Sequence, residues 1–267
     1  MTFDDLLRAP TPLIGVLHLP PLPGAPRPGP GFTAVLDHAL RDAEALARGG
    51  ASGVIVENLG DAPYPAGAVE PHVVAMLGVI AREVRLRFGE QLAVGVNALR
   101  NDALGALGAA AAAGAGFVRV NVLVGAMVTD QGLIQGQARE ALLYRARVDP
   151  GVRVVADVLV KHAAPLGPVD LAQVSRDTFR RGGADVLVVT GSGTGQPTDP
   201  ARLAAVRDAV PEAPVWVGSG VTLATAADLV RVAHGAIVGT ALHRDGDLDA
   251  PLDVERVQRM VGALRDA

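Results

Sequence analysis

The sequence predicts an α/β fold, a single (β/α)8 barrel of the TIM type that spans residues 1–267. Three observations predict it. Short apolar runs, each of roughly four to eight residues, alternate with longer amphipathic stretches along nearly the whole chain. The repeating units average about 30 residues, near the length of a strand–helix–strand crossover. The length of 267 residues and the hydrophobic content of 49% also suit a barrel, since such barrels typically contain about 250 residues.

The strand candidates are continuous apolar runs, as is typical of strands buried on both faces of a parallel sheet. They begin at Leu13, Gly53, Leu92, Phe117, Arg153, Asp185, Pro214 and Gly235. Helices are predicted between them. The clearest is the segment 32–50, which has apolar residues at helical spacing and ends in two glycines. Eight consecutive units without a linker favour a closed barrel over a doubly wound open sheet, which is the alternative.

Two of the loops that follow strands are long, one over residues 20–31 and the other over residues 124–136. The first is too rich in proline for a helix or a strand, so it is expected to be stiff and extended. It is either a plain connector or a lid or wall at the carboxyl end of the barrel, where active sites of this fold lie.

Composition excludes several functional classes. The net charge of -4 and the pI near 5.9 provide no basic surface for nucleic acid. The absence of cysteine excludes disulfides, thiolate metal sites and cysteine nucleophiles. We expect no signal peptide and no integral membrane segment, because the most apolar window, residues 103–118, is short and consists mostly of alanine and glycine. The protein is therefore expected to be cytoplasmic.

Polar side chains stand near the carboxyl ends of several predicted strands. They are His18, Glu57, Asn97, Arg119, Asn121, Asp157, Thr190 and Ser219. One such residue is usually only a hydrogen-bonded buried group, but these would converge at one mouth, which predicts a binding site. We expect Glu57 or Asp157 to be the general acid or base. The others are expected to bind the substrate, with Asn97 and Asn121 orienting its hydroxyl groups.

Two glycine turns after the last two strands predict an anion site, most simply for phosphate. They contain Gly218, Ser219 and Gly220 in the first turn and Gly239 and Thr240 in the second. Glycine lets backbone N–H groups approach an anion, and a helix predicted to begin near Thr222 would add its positive end. This is the usual phosphate position of the fold. The alternative is that small residues merely form tight turns here.

Lys161 and Arg100 are candidates for the same mouth. Lys161 would share a face with Asp157 if the strand alternation continues to it. It is a candidate catalytic residue, either as a cation that pairs with Asp157 or with an anionic ligand, or as a Schiff-base nucleophile. Arg100 lies at a loop-to-helix junction and is a candidate substrate-binding residue that pairs with an anion.

The glycine-rich segment 190–200 would bind phosphate or sugar hydroxyls through Thr190, Gly191 and Thr194, or close over the ligand. It lacks the lysine of a P-loop. We predict no cofactor. A divalent metal held by His18, Glu57 and Asp157 is the alternative, although the first strand lacks the paired histidines of zinc-dependent barrel hydrolases.

Several segments together resemble the BtpA family. They are GVLHLPPLPGAP from Gly15, ENLGDAPY from Glu57, GVNALRND from Gly95, DQGLIQG from Asp130, DVLVKHA from Asp157, TGSGTGQP from Thr190, VGSGVT from Val217 and IVGTALHRDG from Ile237. The resemblance covers almost the whole chain in the same order. The proline-rich first loop and the DQGLIQG loop make it specific. His243 stands where the family pattern predicts lysine, so no ligand role is carried over to that position.

The resemblance implies a barrel fold and, from the origin of the family name, photosystem I assembly in photosynthetic organisms. Family relatives also occur in organisms without photosystems, some of them described as nucleosidases or sugar-operon proteins. Our own prediction from the residues is an enzyme for a phosphorylated or ribose-containing small molecule, of the phosphosugar or nucleoside lyase, hydrolase or isomerase type. The alternative is a photosystem I assembly factor without catalytic activity. Homo-oligomerisation is an expectation by analogy with other barrels.

Overall fold

The computed structural model describes residues 1–191 and 198–265, and within them the predicted closed barrel is confirmed. Its parallel strands are β1 (Leu13–His18), β2 (Gly53–Glu57), β3 (Ala93–Asn97), β4 (Phe117–Val120), β7 (Arg153–Asp157), β9 (Val186–Thr190), β10 (Val215–Gly218) and β11 (Gly235–Val238). Each pairs with the next in this order, and β11 pairs again with β1. The eight predicted apolar runs therefore form the eight strands of the barrel.

Helices cover the outside of the strands and, in one case, the amino end of the barrel. They are α1 (Phe3–Arg8), α2 (Phe32–Gly49), α3 (Pro71–Phe88), α4 (Ala103–Ala113), α5 (Ala138–Val148), α6 (Leu171–Arg176), α7 (Pro200–Ala209), α8 (Ala226–Val230) and α9 (Val254–Arg265). The predicted helix over 32–50 is α2, which ends where Gly50 adopts a left-handed φ of 84°. In the described part of the chain, none of these helices has both the length and the apolar character needed to cross a membrane.

An aromatic cluster fills the amino end of the barrel. The ring of Phe3, on α1, lies 5.2 Å from the ring of Phe117 and 5.9 Å from that of Trp216, measured between centroids. Phe117 and Trp216 stand near the amino ends of β4 and β10, so α1 closes the end of the barrel opposite the mouth. The interior at this end is thus packed with side chains, and active sites of this fold lie at the opposite, carboxyl end.

The segment expected to be a long loop over 124–136 instead forms a β-hairpin. Its strands β5 (Ala126–Thr129) and β6 (Gly132–Gln135) are antiparallel, and β5 also pairs with β8 (Ala163–Pro165). The opposed side chains of Met127 and Ile134 are buried in a small apolar cluster. This burial explains why the segment is ordered beside the mouth rather than irregular.

The proline-rich loop over 20–31 contains neither helix nor strand, as predicted. Leu22 in this loop is buried, and its backbone N–H donates to Asp61 Oδ1 at 2.8 Å. The loop is therefore fixed to the turn that follows β2.

Strand register brings three polar side chains into line at the carboxyl edge. His18 on β1 pairs in register with Glu57 on β2, which in turn pairs with Asn97 on β3. Because the side chains of neighbouring parallel strands at equal register point to the same face, all three lie side by side at the mouth.

Candidate active site

Two cavities open among the loops and strand ends at the mouth. The first, of 470 Å³, borders the β5–β6 hairpin and is called the hairpin-side cavity. The second, of 370 Å³, borders the turns after β10 and β11 and is called the glycine-side cavity. Four residues line both, namely Glu57, Leu59, Arg119 and Lys161. The cavities therefore adjoin along a strip that carries three charged side chains.

Most of the predicted site residues line these cavities. Those in the hairpin-side cavity are Glu57, Arg100, Arg119, Asn121 and Lys161. Those in the glycine-side cavity are His18, Glu57, Arg119, Lys161, Ser219, Gly220, Gly239 and Thr240. No residue of the proline-rich loop 20–31 lines either cavity, so the connector interpretation fits that loop better than a lid or wall.

Arg119 and Asp157 form a buried ion pair beneath the cavities. Arg119 Nε donates to Asp157 Oδ1 at 3.1 Å, and Nη2 donates to Oδ2 at 3.0 Å. Asn121 Nδ2 also donates to Oδ2, at 2.9 Å. These bonds engage both oxygens of Asp157, which lines neither cavity. Burial alone would lower the pKa of Arg119, but the carboxylates of Asp157 and Glu57 outweigh it and raise that pKa.

Glu57 is the carboxylate that reaches both cavities. Asn97 Nδ2 donates to its Oε2 at 2.6 Å, so Asn97 supports Glu57 from behind and does not itself line a cavity. Burial favours the neutral carboxyl, but the neighbouring charge of Arg119, further positive charge and the Asn97 hydrogen bond together lower the pKa of Glu57. Glu57 is thus held as an anion at the junction of the cavities.

His18 stands beside Glu57 and contacts a second histidine. Its Nε2 is 4.0 Å from Glu57 Oε1, and its Nδ1 is 3.4 Å from His243 Nε2. His243 Nδ1 lies 2.6 Å from the carbonyl oxygen of Ala250, which can only accept, so that nitrogen carries the proton. With both rings neutral, His243 Nε2 accepts from His18 Nδ1–H. His18 Nε2 is then left with its lone pair available at the mouth.

We predict that nitrogen NMR at neutral pH shows His18 and His243 as Nδ1–H tautomers. His234 supplies an internal control, because its Nδ1 accepts from the backbone N–H of Val215 at 3.0 Å and the ring must therefore carry its proton on Nε2. In His243→Phe, which removes the acceptor, the His18 proton is expected to move to Nε2. An Nε2–H signal from His18 in the unaltered protein would contradict this arrangement.

Lys161 reaches the mouth by a different route from the one predicted. The strand alternation does not continue to it, because β7 ends at Asp157 and Leu159 has a left-handed φ of 56°. Lys161 instead lies in the loop before β8, where it lines both cavities. Burial and the nearby charge of Arg119 lower the pKa of its amine.

The glycine turns form one wall of the glycine-side cavity. Ser219 and Gly220 have left-handed φ values of 65° and 66°, which turn the chain sharply after β10. A Cβ at Gly239 would lie 2.4 Å from Cε1 of His18, so only glycine fits there without displacing the imidazole. The helix predicted near Thr222 begins later, at Ala226, and spans five residues. It is too short to contribute a helix dipole, so any anion would depend on the turns.

The remaining predicted residues lie around β9. Thr190 ends the strand and is buried, and its Oγ1 has no hydrogen-bond partner within residues 1–191 and 198–265. Gly191 follows it and is also buried. Thr194 lies outside the described residues.

The metal alternative finds no assembled ligand set. Over the part of the chain that the structure describes, no three histidine or acidic side chains are grouped so as to hold a metal ion. His18 and Glu57 face each other, but Asp157 is bound to Arg119 instead.

Sequence reasoning missed four polar residues of the hairpin-side cavity. They are Tyr64, Asp130, Gln131 and His162. Tyr64 lies in the ENLGDAPY segment, and Asp130 and Gln131 lie in DQGLIQG, so the shared family motifs were the signal that could have identified them.

Comparison with known proteins agrees with this architecture. A model of the BtpA family matches residues 9–266. "Photosystem I biogenesis protein BtpA" of Synechocystis is 44% identical over 96% of this chain and 88% of its own length. An uncharacterized protein of Thermococcus kodakarensis is 43% identical, over 96% of this chain and 95% of its own length. The N-(5'-phosphoribosyl)anthranilate isomerase of Pyrococcus furiosus shares the fold, with a TM-score of 0.59 at 12% identity over 96% of this chain and all (100%) of that one.

Proposed function

We propose that this chain, which belongs to the BtpA family, is an enzyme acting on a phosphorylated, sugar-like small molecule at the barrel mouth. One observation carries the proposal, namely that Glu57, Arg119 and Lys161 border both cavities. A phosphate held in the glycine-side cavity would place the adjoining carbon chain against these ionisable groups. The phosphoribosyl isomerase of similar fold is an example of a barrel that handles a phosphorylated sugar derivative.

The phosphate is assigned to the turns after β10 and β11. Ser219, Gly220, Gly239 and Thr240 line the cavity there, and Ser219 and Gly220 both have left-handed φ values, which bring the backbone of the turn to the cavity wall. Backbone N–H groups at such turns favour oxyanions without requiring a cation.

The reaction is assigned to Glu57 and Lys161. Glu57, ionised at neutral pH, accepts a proton from a substrate hydroxyl or an acidic C–H, and the Lys161 ammonium supplies a proton to the oxygen on which charge develops. Such a paired transfer is what an isomerase, a lyase or a hydrolase of a sugar phosphate requires. We assign Asp157 to positioning Arg119, because both of its oxygens accept from Arg119 and it lines neither cavity.

A thermal-shift series tests the proposal with ribose 5-phosphate, inorganic phosphate and unphosphorylated ribose. A ligand at a hundredfold excess over its Kd stabilises the native state by about 2.7 kcal/mol. We expect millimolar ribose 5-phosphate to raise the melting temperature and ribose to leave it unchanged. Gly239→Ala is expected to lose the stabilisation, because its added methyl group would overlap the imidazole of His18 at the turn after β11.

Gly262→Ala on α9 is the matched control, since a Cβ there meets no atom within 4 Å. It is expected to retain the ligand response in full. If no phosphorylated sugar stabilises the unaltered protein at millimolar concentration, the proposal fails.

A second candidate function is a non-catalytic role in the biogenesis of photosystem I. The observation that favours it is the 44% identity with the Synechocystis protein of that name. The relative in Thermococcus kodakarensis, an archaeon, is about as similar, at 43%, which favours a role that does not depend on a photosystem. Co-purification of this chain with photosystem I subunits, without any response to phosphorylated sugars, would support the second function.

A further inference from the structure

Arg100 is a buried cation that pairs with no carboxylate of residues 1–191 and 198–265. Its residue is 6% exposed, and it lines the hairpin-side cavity. Its Nη2 donates to the backbone carbonyl oxygen of Lys161 at 2.7 Å. Among the described residues, no Asp or Glu oxygen lies within 4.0 Å of its guanidinium, although Arg119, at similar burial, has the bidentate contact with Asp157. A buried charge normally has a counter-ion, so the missing one points to an anionic ligand.

The backbone on either side fixes Arg100 in place. The N–H of Leu99 donates to Asn58 Oδ1 at 2.8 Å. Asn101 exchanges two bonds with Val122, donating from Nδ2 to the carbonyl oxygen at 3.0 Å and accepting from the N–H at 2.7 Å. The side chain is therefore presented from a constrained loop, as expected of a pre-formed binding group.

The surroundings of Arg100 suit an oxyanion with hydroxyl groups attached. Lys161 and His162 line the same cavity and add basic groups, whereas Glu57 and Asp130 contribute the carboxylates there. Asn121 Oδ1 and Gln131 Oε1 are buried acceptors without a partner in the part of the chain that the structure describes. Unfilled acceptors beside a basic group match the hydroxyl donors of a sugar next to its acidic end.

We propose that the hairpin-side cavity binds a second anionic group of the substrate at Arg100. The substrate would then carry an anion at each end, either as a sugar bisphosphate or as a phosphorylated sugar acid. One anion lies at the glycine turns and the other at Arg100, and the reacting carbons between them lie against Glu57 and Lys161. This inference rests on the proposed function and specifies its substrate class.

Calorimetric titration with three probes tests it. Ribose 5-phosphate carries one anionic group, ribulose 1,5-bisphosphate carries two phosphates, and 6-phosphogluconate carries a phosphate and a carboxylate. We expect at least one of the two probes with two anionic groups to bind about tenfold more tightly than ribose 5-phosphate, which corresponds to about 1.4 kcal/mol. Whichever of the two binds more tightly identifies the second anion.

Arg100→Gln is expected to abolish this gain and to leave the Kd of ribose 5-phosphate within about threefold of its original value, since only one end of the ligand loses its partner. Arg87→Gln on α3 is the matched control for charge, because Arg87 is exposed and lies on a helix outside the mouth. This variant is expected to keep the tenfold tighter binding.

The outcomes separate the two proposals. If ribose 5-phosphate binds but neither probe with two anionic groups binds more tightly, or if Arg100→Gln keeps the tighter binding, the second-anion inference is wrong and the proposed function stands. If none of the three probes binds, the proposed function itself is wrong. Should Arg100→Gln not fold, the comparison of probes on the unaltered protein and on Arg100→Lys, which keeps the charge, still decides the inference.

Discussion

Asp157→Ala is expected to lower the free energy of unfolding by about 3–5 kcal/mol, because it leaves a buried guanidinium without its counter-ion. The side chains of Arg119 and Asp157 are 6% and 0% exposed. The lost carboxylate accepts hydrogen bonds from Arg119 Nε, from Arg119 Nη2 and from Asn121, and water cannot replace all of them inside the barrel. The loss therefore combines an unpaired charge with unsatisfied donors.

Urea unfolding followed by the fluorescence of the single tryptophan, Trp216, measures this loss. Asp208→Ala is the control, since it removes a carboxylate from the exposed pair with Arg207 and is expected to change the free energy by less than about 0.5 kcal/mol. The double variant Arg119→Met, Asp157→Leu is expected to recover most of the stability, because no buried charge remains. A loss below about 1 kcal/mol in Asp157→Ala would show that the pair is solvated.

The barrel could be predicted because each strand is a self-contained apolar run. The same runs predicted which polar side chains lie at the mouth. His18, Glu57 and Asn97 each end a strand, and equal register on parallel strands places them side by side. This part of the geometry follows from the hydrophobic pattern of the strands and from their order along the chain, both of which can be read from a single sequence.

What the polar residues do to one another could not be predicted. Asp157 and Glu57 look alike at their strand ends, yet one is fully bonded to Arg119 and the other borders both cavities. The difference depends on strand tilt and on which side chains are long enough to meet across the barrel. Those quantities are set by closure of the ring, which no local pattern encodes.

The hairpin and His243 show a second limit of prediction from the sequence. The hairpin over β5 and β6 has only four residues in each strand, and its alternation is too brief to distinguish from a loop. His243 was given no ligand role because it departs from the family pattern, and the structure places it against His18. Its contact joins the first strand to a turn 225 residues later in the chain, a separation at which sequence offers no signal.

The stability of the protein is expected to fall by about 3 kcal/mol through His18 alone as the pH decreases from 7 to 4. Burial, opposed by Glu57 and reinforced by His243, Lys161 and Arg119, lowers the pKa of His18 from 6.5 to about 4. The unfolded chain therefore binds a proton at this residue as the pH passes below 6.5, while the native state does not until about 4. Because the unfolded state holds more protons in this window, the His18 contribution is complete above it and is lost as the pH falls through it.

Urea unfolding of the unaltered protein and of His18→Gln at pH 7, 6, 5 and 4 measures this contribution, since the titrating groups remote from His18 affect both proteins equally. As the pH falls, the free energy of unfolding of the unaltered protein should decrease more steeply than that of the variant. The difference between the two free energies should change by about 3 kcal/mol between pH 7 and pH 4. Parallel curves would mean that His18 protonates in the native state near its ordinary pKa. The imidazole would then be solvated and could not serve as a neutral acceptor beside Glu57, which is the role that the contact with His243 assigns to it.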